Sequence, residues 1–327
     1  SLVGSEMCIR DRASGYTNGE LWEGRAVVYH GSAAGLRAAE DWAVEGGQPT
    51  TRLGGSVSTA GDVNGDGYAD VIVGASDHTN DYDYEGRAYV YHGSPAGLSA
   101  VEGWTAESDQ GSASFGYFVS TAGDVNGDAY ADVVVGAYQY DNGESGEGRA
   151  WVYHGSPAGL SSSAAWIEEG NQTGAAFGRS VSTAGDVNGD GYDDLVIGAY
   201  LYDDDQSNEG RVYVYHGSVS GLSTTADWTA DGDQAGASLG VSVSTAGDVN
   251  GDGYCDVIVG AHMYDNPDSN EGVAFVYHGS ASGLYAMPHW YADVDQVSAN
   301  FGWSVSTAGD VNGDGYADVV VGARSYD

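Results

Sequence analysis

An acidic turn of fixed pattern is the feature of this sequence with the clearest chemistry. In the stretch GDVNGDGYADVIVGA, Asp62, Asn64, Asp66 and Asp70 occupy alternate positions of a glycine-rich turn, directly before a run of Val and Ile. Carboxylates about 4 Å apart repel each other by about 4 kcal/mol at an effective dielectric constant near 20. A bound cation is therefore expected to compensate the charge of this turn.

The donor atoms of the turn indicate Ca²⁺. Numbered from Asp62, side-chain oxygens stand at positions 1, 3 and 5, the backbone carbonyl of Tyr68 at position 7, and Asp70 completes the shell at position 9. Ca²⁺ accepts such a flexible set of six or seven oxygens. Gly67 permits the sharp turn. Zinc is disfavoured because the turn has no Cys or His. Mg²⁺ is disfavoured because the turn offers so many dedicated protein oxygens. A metal-free Asp/Asn/Gly turn is the alternative.

The same turn occurs five times, with its first Asp at intervals of 62 residues. We therefore predict up to five Ca²⁺ ions. The predicted ligands are Asp62, Asn64, Asp66, Tyr68 and Asp70; Asp124, Asn126, Asp128, Tyr130 and Asp132; Asp186, Asn188, Asp190, Tyr192 and Asp194; Asp248, Asn250, Asp252, Tyr254 and Asp256; Asp310, Asn312, Asp314, Tyr316 and Asp318. In the second copy Ala129 replaces the glycine, which costs about 1 kcal/mol in a left-handed conformation. That loop is expected to bind most weakly.

The net charge of the chain excludes some classes of partner. The 48 Asp and Glu residues face only 10 basic residues, all of them Arg, and the formal net charge is -38. Such a charge excludes a nucleic-acid-binding protein and disfavours docking on anionic lipid. No stretch approaches the roughly 18 apolar residues of a membrane span, so we expect no direct membrane insertion. The two cysteines, Cys8 and Cys255, cannot supply a disulfide framework.

Each 62-residue unit predicts four short strands. In one unit, FGYFVSTAGD from Phe115 predicts a strand of small residues, and after the acidic turn DVVVGA (132–137) predicts a second strand. GRAWVYHG (148–155) predicts a third strand, and 156–166 a loop with a short outer strand. Four strands per repeat correspond to one propeller blade. The predicted fold class is all-β, a β-propeller of four-stranded blades.

The ends of the chain are predicted to close the propeller. Four blades are continuous, and a fifth, composite blade takes two strands from 301–323 and two from 25–42, which removes free sheet edges. A truncated seven-bladed ring left as an open arc is the alternative. Residues 1–12, SLVGSEMCIRDR, break the repeat and resemble a translated sequencing adapter, so they are expected to belong to no blade strand. Residues 13–327 are assigned to the propeller, as a fragment of a longer protein.

Two short motifs carry a family resemblance. FG stands at Phe115, Phe177 and Phe301, with Leu53 and Leu239 replacing Phe in the other copies, and GA begins at Gly74, Gly136, Gly198, Gly260 and Gly322. With its acidic loop, the repeat resembles the FG-GAP repeat of integrin α-subunit propellers and related bacterial surface proteins. The proline of GAP is replaced by Ser76, Tyr138, Tyr200, His262 and Arg324. The resemblance implies Ca²⁺ between the first and second strands of each blade and carries over no partner-binding residue.

The predicted function is non-catalytic. The His of YHGS and a following Trp also recur at 62 residues, at His30, His92, His154, His216 and His278 and at Trp42, Trp104, Trp166, Trp228 and Trp290. Five equivalent copies favour structural roles, although exposed Trp rings could stack on sugars. We expect an extracellular or cell-surface, Ca²⁺-binding adhesion module of a bacterial protein, which recognises a protein or glycan through loops at one end. The alternatives are a polysaccharide-acting propeller enzyme domain and a structural spacer.

Overall fold

The regular structure of the chain is made of β-strands. The computed structural model describes residues 7–9 and 14–327, and within these residues it contains twenty-one strands and no helix long and apolar enough to cross a membrane. Abundant Val, Tyr and Thr favour pleated strands, and the 53 glycines permit tight turns between them. The predicted all-β class is confirmed.

Four repeats each form a complete antiparallel sheet, or blade, in which neighbouring strands follow chain order. Blade 1 contains β4 (Ser56–Gly61), β5 (Asp70–Ala75), β6 (Arg87–Tyr91) and β7 (Trp104–Glu107). Blade 2 contains β8 (Phe118–Gly123), β9 (Asp132–Ala137), β10 (Arg149–Tyr153) and β11 (Trp166–Glu169). Blade 3 contains β12 (Phe177–Gly185), β13 (Asp194–Ala199), β14 (Arg211–Tyr215) and β15 (Trp228–Asp231). Blade 4 contains β16 (Leu239–Gly247), β17 (Asp256–Ala261), β18 (Val273–Tyr277) and β19 (Trp290–Ala292).

Two incomplete sheets flank the blades. The first sheet contains β1 (Met7–Ile9), β2 (Arg25–His30) and β3 (Trp42–Glu45), and the last sheet contains only β20 (Phe301–Gly309) and β21 (Asp318–Ala323). The prediction of four continuous blades is confirmed. The composite fifth blade is wrong, because β21 pairs with β20 alone while β2 pairs with β1 on one side and β3 on the other.

Residues 7–9 also differ from their predicted role. Met7, Cys8 and Ile9 pair with His30, Tyr29 and Val28, so these three residues do join a blade strand. Strand pairing uses backbone groups and is therefore open to a segment that lies outside the repeat. Residues 1–6 and 10–12 of the same predicted segment lie outside the described residues.

Adjacent blades approach each other through glycines of the two short motifs. A Cβ atom on Gly74 of β5 would lie 2.0 Å from the carbonyl oxygen of Gly116 in the next repeat, and the same contact is repeated between Gly136 and Gly178. Beside it, the backbone N–H of Val119 donates to the Oγ of Ser56 at 3.0 Å. The FG and GA motifs are thus explained by close backbone packing between blades.

Packing on both faces explains why the second strand of each blade is apolar throughout. Every residue of β5, β9, β13 and β17 is buried. β21 has the same DVVVGA sequence as β9, yet none of its residues is buried, and Val320 is 55% exposed where Val134 of β9 is 0% exposed. The last sheet therefore has a face that no other sheet of the described chain covers, and the ring is not closed.

Candidate functional site

The acidic loops lie between the first and second strands of the blades, and their side chains accept backbone N–H groups of the same loop. In the third loop, Oδ1 of Asp186 accepts from Gly189 at 2.6 Å and from Asp190 at 3.1 Å, and its Oδ2 accepts from Gly191 at 2.9 Å. Oδ1 of Asn188 accepts from Asp190 at 2.9 Å. These bonds hold the loop in a tight turn and direct its oxygens inward.

The oxygens of the third loop keep unused acceptor capacity. An ionised carboxylate offers about four lone-pair sites. Five carboxylate oxygens of the loop each accept only one N–H: Oδ2 of Asp186, both oxygens of Asp190 and both oxygens of Asp194. With the amide oxygen of Asn188 and the carbonyl oxygen of Tyr192, the loop presents the hard oxygen donors that Ca²⁺ accepts. The donor types of the loop therefore suit Ca²⁺, while its three Asp side chains do not bring their oxygens all within 4.8 Å of one another.

The last Asp of the first four loops has a second role, because it ties the loop to the rest of the blade. Asp194 is fully buried, and its carboxylate accepts the N–H of Val187 at 2.9 Å and of Gly217, beyond the third strand, at 2.9 Å. Burial raises the pKa of Asp194 to about 7, while those two N–H groups act in the opposite direction. A cation in the loop would favour the ionised form in the same way as the N–H groups.

Ala129 adopts the left-handed conformation that the pattern requires of position 6. Its φ is 71°, and the glycines at the same position have φ between 86° and 92° at Gly67, Gly191, Gly253 and Gly315. The second loop thus keeps the hydrogen bonds of the others, with the N–H of Ala129 2.8 Å from Oδ2 of Asp124. Its weaker Ca²⁺ binding stays a prediction.

Each acidic loop except the last is covered by the following repeat. The ring of Tyr254 packs on Gly189, where a Cβ atom would lie 2.5 Å from Cε1, and the N–H of Cys255 donates to the carbonyl oxygen of Asp186 at 3.0 Å. The loop that starts at Asp310 has no such cover within the described chain. As a result Val311 is 72% exposed, whereas Val187, at the same position of the third loop, is 0% exposed.

The opposite end of the blades carries a second set of acids, which the sequence analysis missed. A buried glutamate precedes the third strand of each repeat, and we call this end the glutamate end: Glu23, Glu85, Glu147, Glu209 and Glu271. Among the described residues, three carboxylates have oxygens within 4.8 Å of one another in two groups, Glu85 with Glu107 and Asp109, and Glu271 with Asp293 and Asp295. No acidic-loop residue belongs to either group. The 62-residue recurrence of the sequence EG was the signal that could have found this set.

A cleft opens at the same end, between the first sheet and blades 1 and 2. It has a volume of about 400 Å³, and its walls include Trp22, Arg52, Asp77, Tyr84, Tyr117 and Tyr138. Trp22 and Tyr84 are about half exposed, and Nε of Arg52 lies 3.1 Å from Oδ2 of Asp77. Exposed aromatic rings beside an arginine are typical of protein-binding surfaces.

The recurring His and Trp residues connect adjacent repeats. Nε1 of Trp104 donates to the carbonyl oxygen of Ser161 in the next repeat at 2.9 Å, and Trp166 makes the same bond to Ser223 at 2.8 Å. Both rings are buried and cannot stack on a sugar, whereas Trp290 of β19 is 42% exposed. The ring of His92 packs against Gly159 of the following repeat. Both residue types therefore have packing roles.

Comparison with known proteins places these observations in a family. The FG-GAP repeat matches five times, at residues 53–91, 115–153, 177–215, 239–277 and 301–327. The chain is 36% identical over 225 residues to integrin alpha-PS2 of Drosophila melanogaster, covering 65% of this chain and 15% of the relative. It is 28% identical over 249 residues to integrin alpha-3 of Cricetulus griseus, covering 75% of this chain and 22% of the relative. It thus spans less than a quarter of the length of these relatives.

One solved structure shows a likeness of fold alone. The crystal structure of Saccharomyces cerevisiae Sqt1 superposes with a TM-score of 0.50 at 14% sequence identity, covering 91% of this chain and 62% of that chain.

Proposed function

The chain belongs to the FG-GAP repeat family, and we propose that it is a Ca²⁺-binding, extracellular adhesion module that recognises a protein partner through the glutamate end of its propeller. The integrin α relatives, as extracellular receptors for protein ligands, support this class of function. The single observation that carries the choice of surface is the aromatic cleft between the first sheet and blades 1 and 2.

Ca²⁺ has a structural role in this proposal. In each acidic loop the ion would be held by the two loop Asp side chains, the Asn amide oxygen, the Tyr carbonyl oxygen and the last Asp, which is buried in the first four loops. When bound, it would offset two of the three negative charges of the loop and fix the hairpin between the first two strands. The protein residues then set the loop conformation through the N–H groups that the carboxylate of the first Asp accepts.

The cleft favours a protein over a glycan partner. Its aromatic rings lie beside Arg52, and the guanidinium of Arg179 lies 4.5 Å from the ring centroid of Tyr117, which forms part of the cleft wall. Arg52 is already paired with Asp77, but in a chain of net charge -38 the guanidinium of Arg179 makes the cleft one of the few places that an acidic side chain of a partner could approach. Tyr, Trp and Arg are also the residues enriched in protein-binding hot spots.

Surface plasmon resonance against a panel of purified extracellular glycoproteins, with a parallel array of immobilised glycans, tests the proposal. We expect a protein partner whose affinity falls about tenfold or more in Tyr84→Ala, as at a typical hot spot. Tyr285→Ala is the matched control, because Tyr285 is 50% exposed and lies outside the cleft. Equal affinity of the two variants contradicts the proposed surface, and cleavage of a polysaccharide by the chain favours the enzyme alternative.

A further inference from the structure

We propose that Glu271, Asp293 and Asp295 form a divalent-cation site at the glutamate end of blade 4, separate from the acidic loops. The site takes a hard cation of the Ca²⁺ class and is built from a loop residue before β18 and two residues just beyond the end of β19. Asp293 and Asp295 lie outside the matched FG-GAP repeats, and none of the three residues belongs to an acidic turn.

The geometry of the three carboxylates carries the proposal. Each offers an oxygen within 4.8 Å of the oxygens of the other two. Glu271 is 0% exposed, and neither of its carboxylate oxygens has a hydrogen-bond partner. A buried ionised carboxylate without a donor or a counter-charge is strongly unfavourable. A cation at the point where the three side chains meet supplies the missing partner.

The other repeats neutralise the equivalent acids with an arginine. The third strand begins with Arg25, Arg87, Arg149 and Arg211 in the four preceding copies. Each of these arginines forms an ion pair with the acid that lies opposite on the fourth strand, namely Glu45, Glu107, Glu169 and Asp231. In blade 4 the arginine is replaced by Val273, so Asp293 has no guanidinium opposite it. The proposed cation would compensate the negative charge of Asp293, as the arginine does for the equivalent acid in the other repeats.

Blade 3 provides an internal comparison, since it has the same three acid types at Glu209, Asp231 and Asp233. There Arg211 binds Asp231 with both nitrogens, Nε to Oδ1 at 2.5 Å and Nη2 to Oδ2 at 3.0 Å. Oε1 of Glu209 accepts the N–H of Asp204 at 2.8 Å. The three carboxylates of blade 3 do not converge. Blades 3 and 4 thus differ in this arginine, although blade 1 shows that the three carboxylates can also converge beside one.

The remaining groups around the site are consistent with a cation. Asp268 adds a further negative charge near Glu271, and the backbone N–H groups of Asn266 and Asp268 lie near its carboxylate but outside hydrogen-bonding geometry. The side-chain amide of Asn266 donates to Oδ2 of Asp293 at 2.8 Å and so orients that carboxylate. Asp295 is exposed and leaves the site open to solvent. All three ligands are carboxylates, which suit Ca²⁺ rather than a soft transition metal.

The Glu85, Glu107 and Asp109 group of blade 1 is an intermediate case. Nε of Arg87 lies 3.1 Å from Oε1 of Glu107, and Oε1 of Glu85 accepts the N–H of Asn80 at 2.8 Å. Part of the charge is therefore already compensated. We expect weaker cation binding in blade 1 than in blade 4.

Anomalous diffraction from crystals of the whole chain soaked in Tb³⁺, a stand-in for Ca²⁺, locates the site directly. We expect a peak between Glu271, Asp293 and Asp295 and none between Glu209, Asp231 and Asp233. Peaks in the acidic loops report separately on the proposed function, because those loops lie at the other end of the sheets. Absence of a peak in blade 4, in crystals whose acidic loops contain Tb³⁺, overturns the proposal.

Calorimetric titration with Ca²⁺ gives a second, independent measurement. Val273→Arg, which copies blade 3, and Asp295→Asn, which changes an exposed side chain, should each bind one ion fewer than the unaltered chain. Arg211→Val is the reciprocal variant and should gain one ion. The same number of bound ions in the unaltered chain and in both Val273→Arg and Asp295→Asn contradicts a site in blade 4.

Discussion

The two ends of each blade are both rich in carboxylates, but they stabilise them by different means. At the acidic-loop end of blade 3, the carboxylate of Asp186 is held by three N–H groups of its own loop and keeps a free lone pair toward the loop centre. At the glutamate end of the same blade, Arg211 binds both oxygens of Asp231. Backbone donors position an acid and leave its charge for an ion, whereas a guanidinium cancels that charge.

Removal of divalent cations has the largest expected effect, because five of the proposed ions lie in acidic loops and only the blade 4 site lies at the glutamate end. With binding near 10⁻⁴ M, as in extracellular Ca²⁺ modules, about 1 mM Ca²⁺ stabilises by roughly 1.4 kcal/mol per acidic loop, or about 7 kcal/mol over five loops. A chelator should therefore lower the melting temperature substantially, and Mg²⁺ should restore little of it. Differential scanning calorimetry in Ca²⁺ and in chelator makes the measurement. Superimposable melting curves would contradict a role for the acidic loops.

Substitution within single loops compares a covered loop with an uncovered one. Asp186→Ala removes one ion and the acceptor of three N–H groups, so we expect a loss of about 3 kcal/mol in the free energy of unfolding in Ca²⁺. Asp310→Ala is the matched variant in the last loop, which no later repeat covers, and its loss should be smaller. Denaturant titration of both variants measures the difference, and a larger loss for Asp310→Ala would reverse the comparison.

Acidification acts on the glutamate end through His262. Its ring is buried against Trp303, with Arg179 and Arg324 nearby, and burial, followed by these two charges, lowers its pKa from 6.5 to about 4. The unfolded chain therefore takes up the proton first, so stability is present above about pH 6.5 and is lost as the pH falls toward 4. His262 alone contributes a loss of about 2 kcal/mol between pH 7.5 and pH 5, whereas Asp194, whose pKa is raised by burial, gains stability over the same interval.

His262→Tyr is the matched variant for this pH dependence, because Tyr138 and Tyr200 stand at the same position in blades 2 and 3. Denaturant titrations of both proteins in chelator, at pH 7.5 and pH 5, remove the contribution of Ca²⁺ release. The variant should lose about 2 kcal/mol less than the unaltered chain over this interval. An equal loss in the two proteins would assign the pH dependence to other groups.

The smallest expected effect is local to the second acidic loop. Ala129→Gly relieves a left-handed alanine at φ 71° and should stabilise the chain by about 1 kcal/mol. Since the loop then matches its neighbours, its Ca²⁺ affinity should rise toward theirs. Gly191→Ala, at the same position of the third loop, is the reciprocal control and should destabilise by a similar amount. If the melting temperatures of Ala129→Gly and Gly191→Ala shift in the same direction, this explanation is contradicted.

Repetition made most of the fold predictable. The DVVVGA stretch was predicted as a strand over 132–137 and forms β9 over Asp132–Ala137, because an apolar run between turn residues allows little else. The short outer strand was predicted within residues 156–166, but in the structure it begins only at Trp166. The loop before it is longer than the pattern suggested. Ring closure was wrong because it depends on how successive sheets pack and on residues 7–9, which lie outside the repeat.

Of the two sets of acids, the acidic loops could be predicted from the sequence and the glutamate end could not. The acidic loop is contiguous, so its donor spacing is visible in the sequence. The glutamate end joins Glu271 to Asp293 across two strands, and only the antiparallel register of β18 and β19 brings them together. The substitution of Arg by Val273 is visible in the sequence, but its meaning depends on that register.

The cover of one acidic loop by the next repeat has a consequence for how the chain responds to Ca²⁺. Tyr254 offers its carbonyl oxygen to the fourth loop, while its ring packs on Gly189 of the third loop. An ion that orders Tyr254 in the fourth loop therefore also organises the third loop in advance. Because such coupling is reciprocal, an ion in either loop favours binding in the other, and the array should bind Ca²⁺ cooperatively, with a Hill coefficient above one.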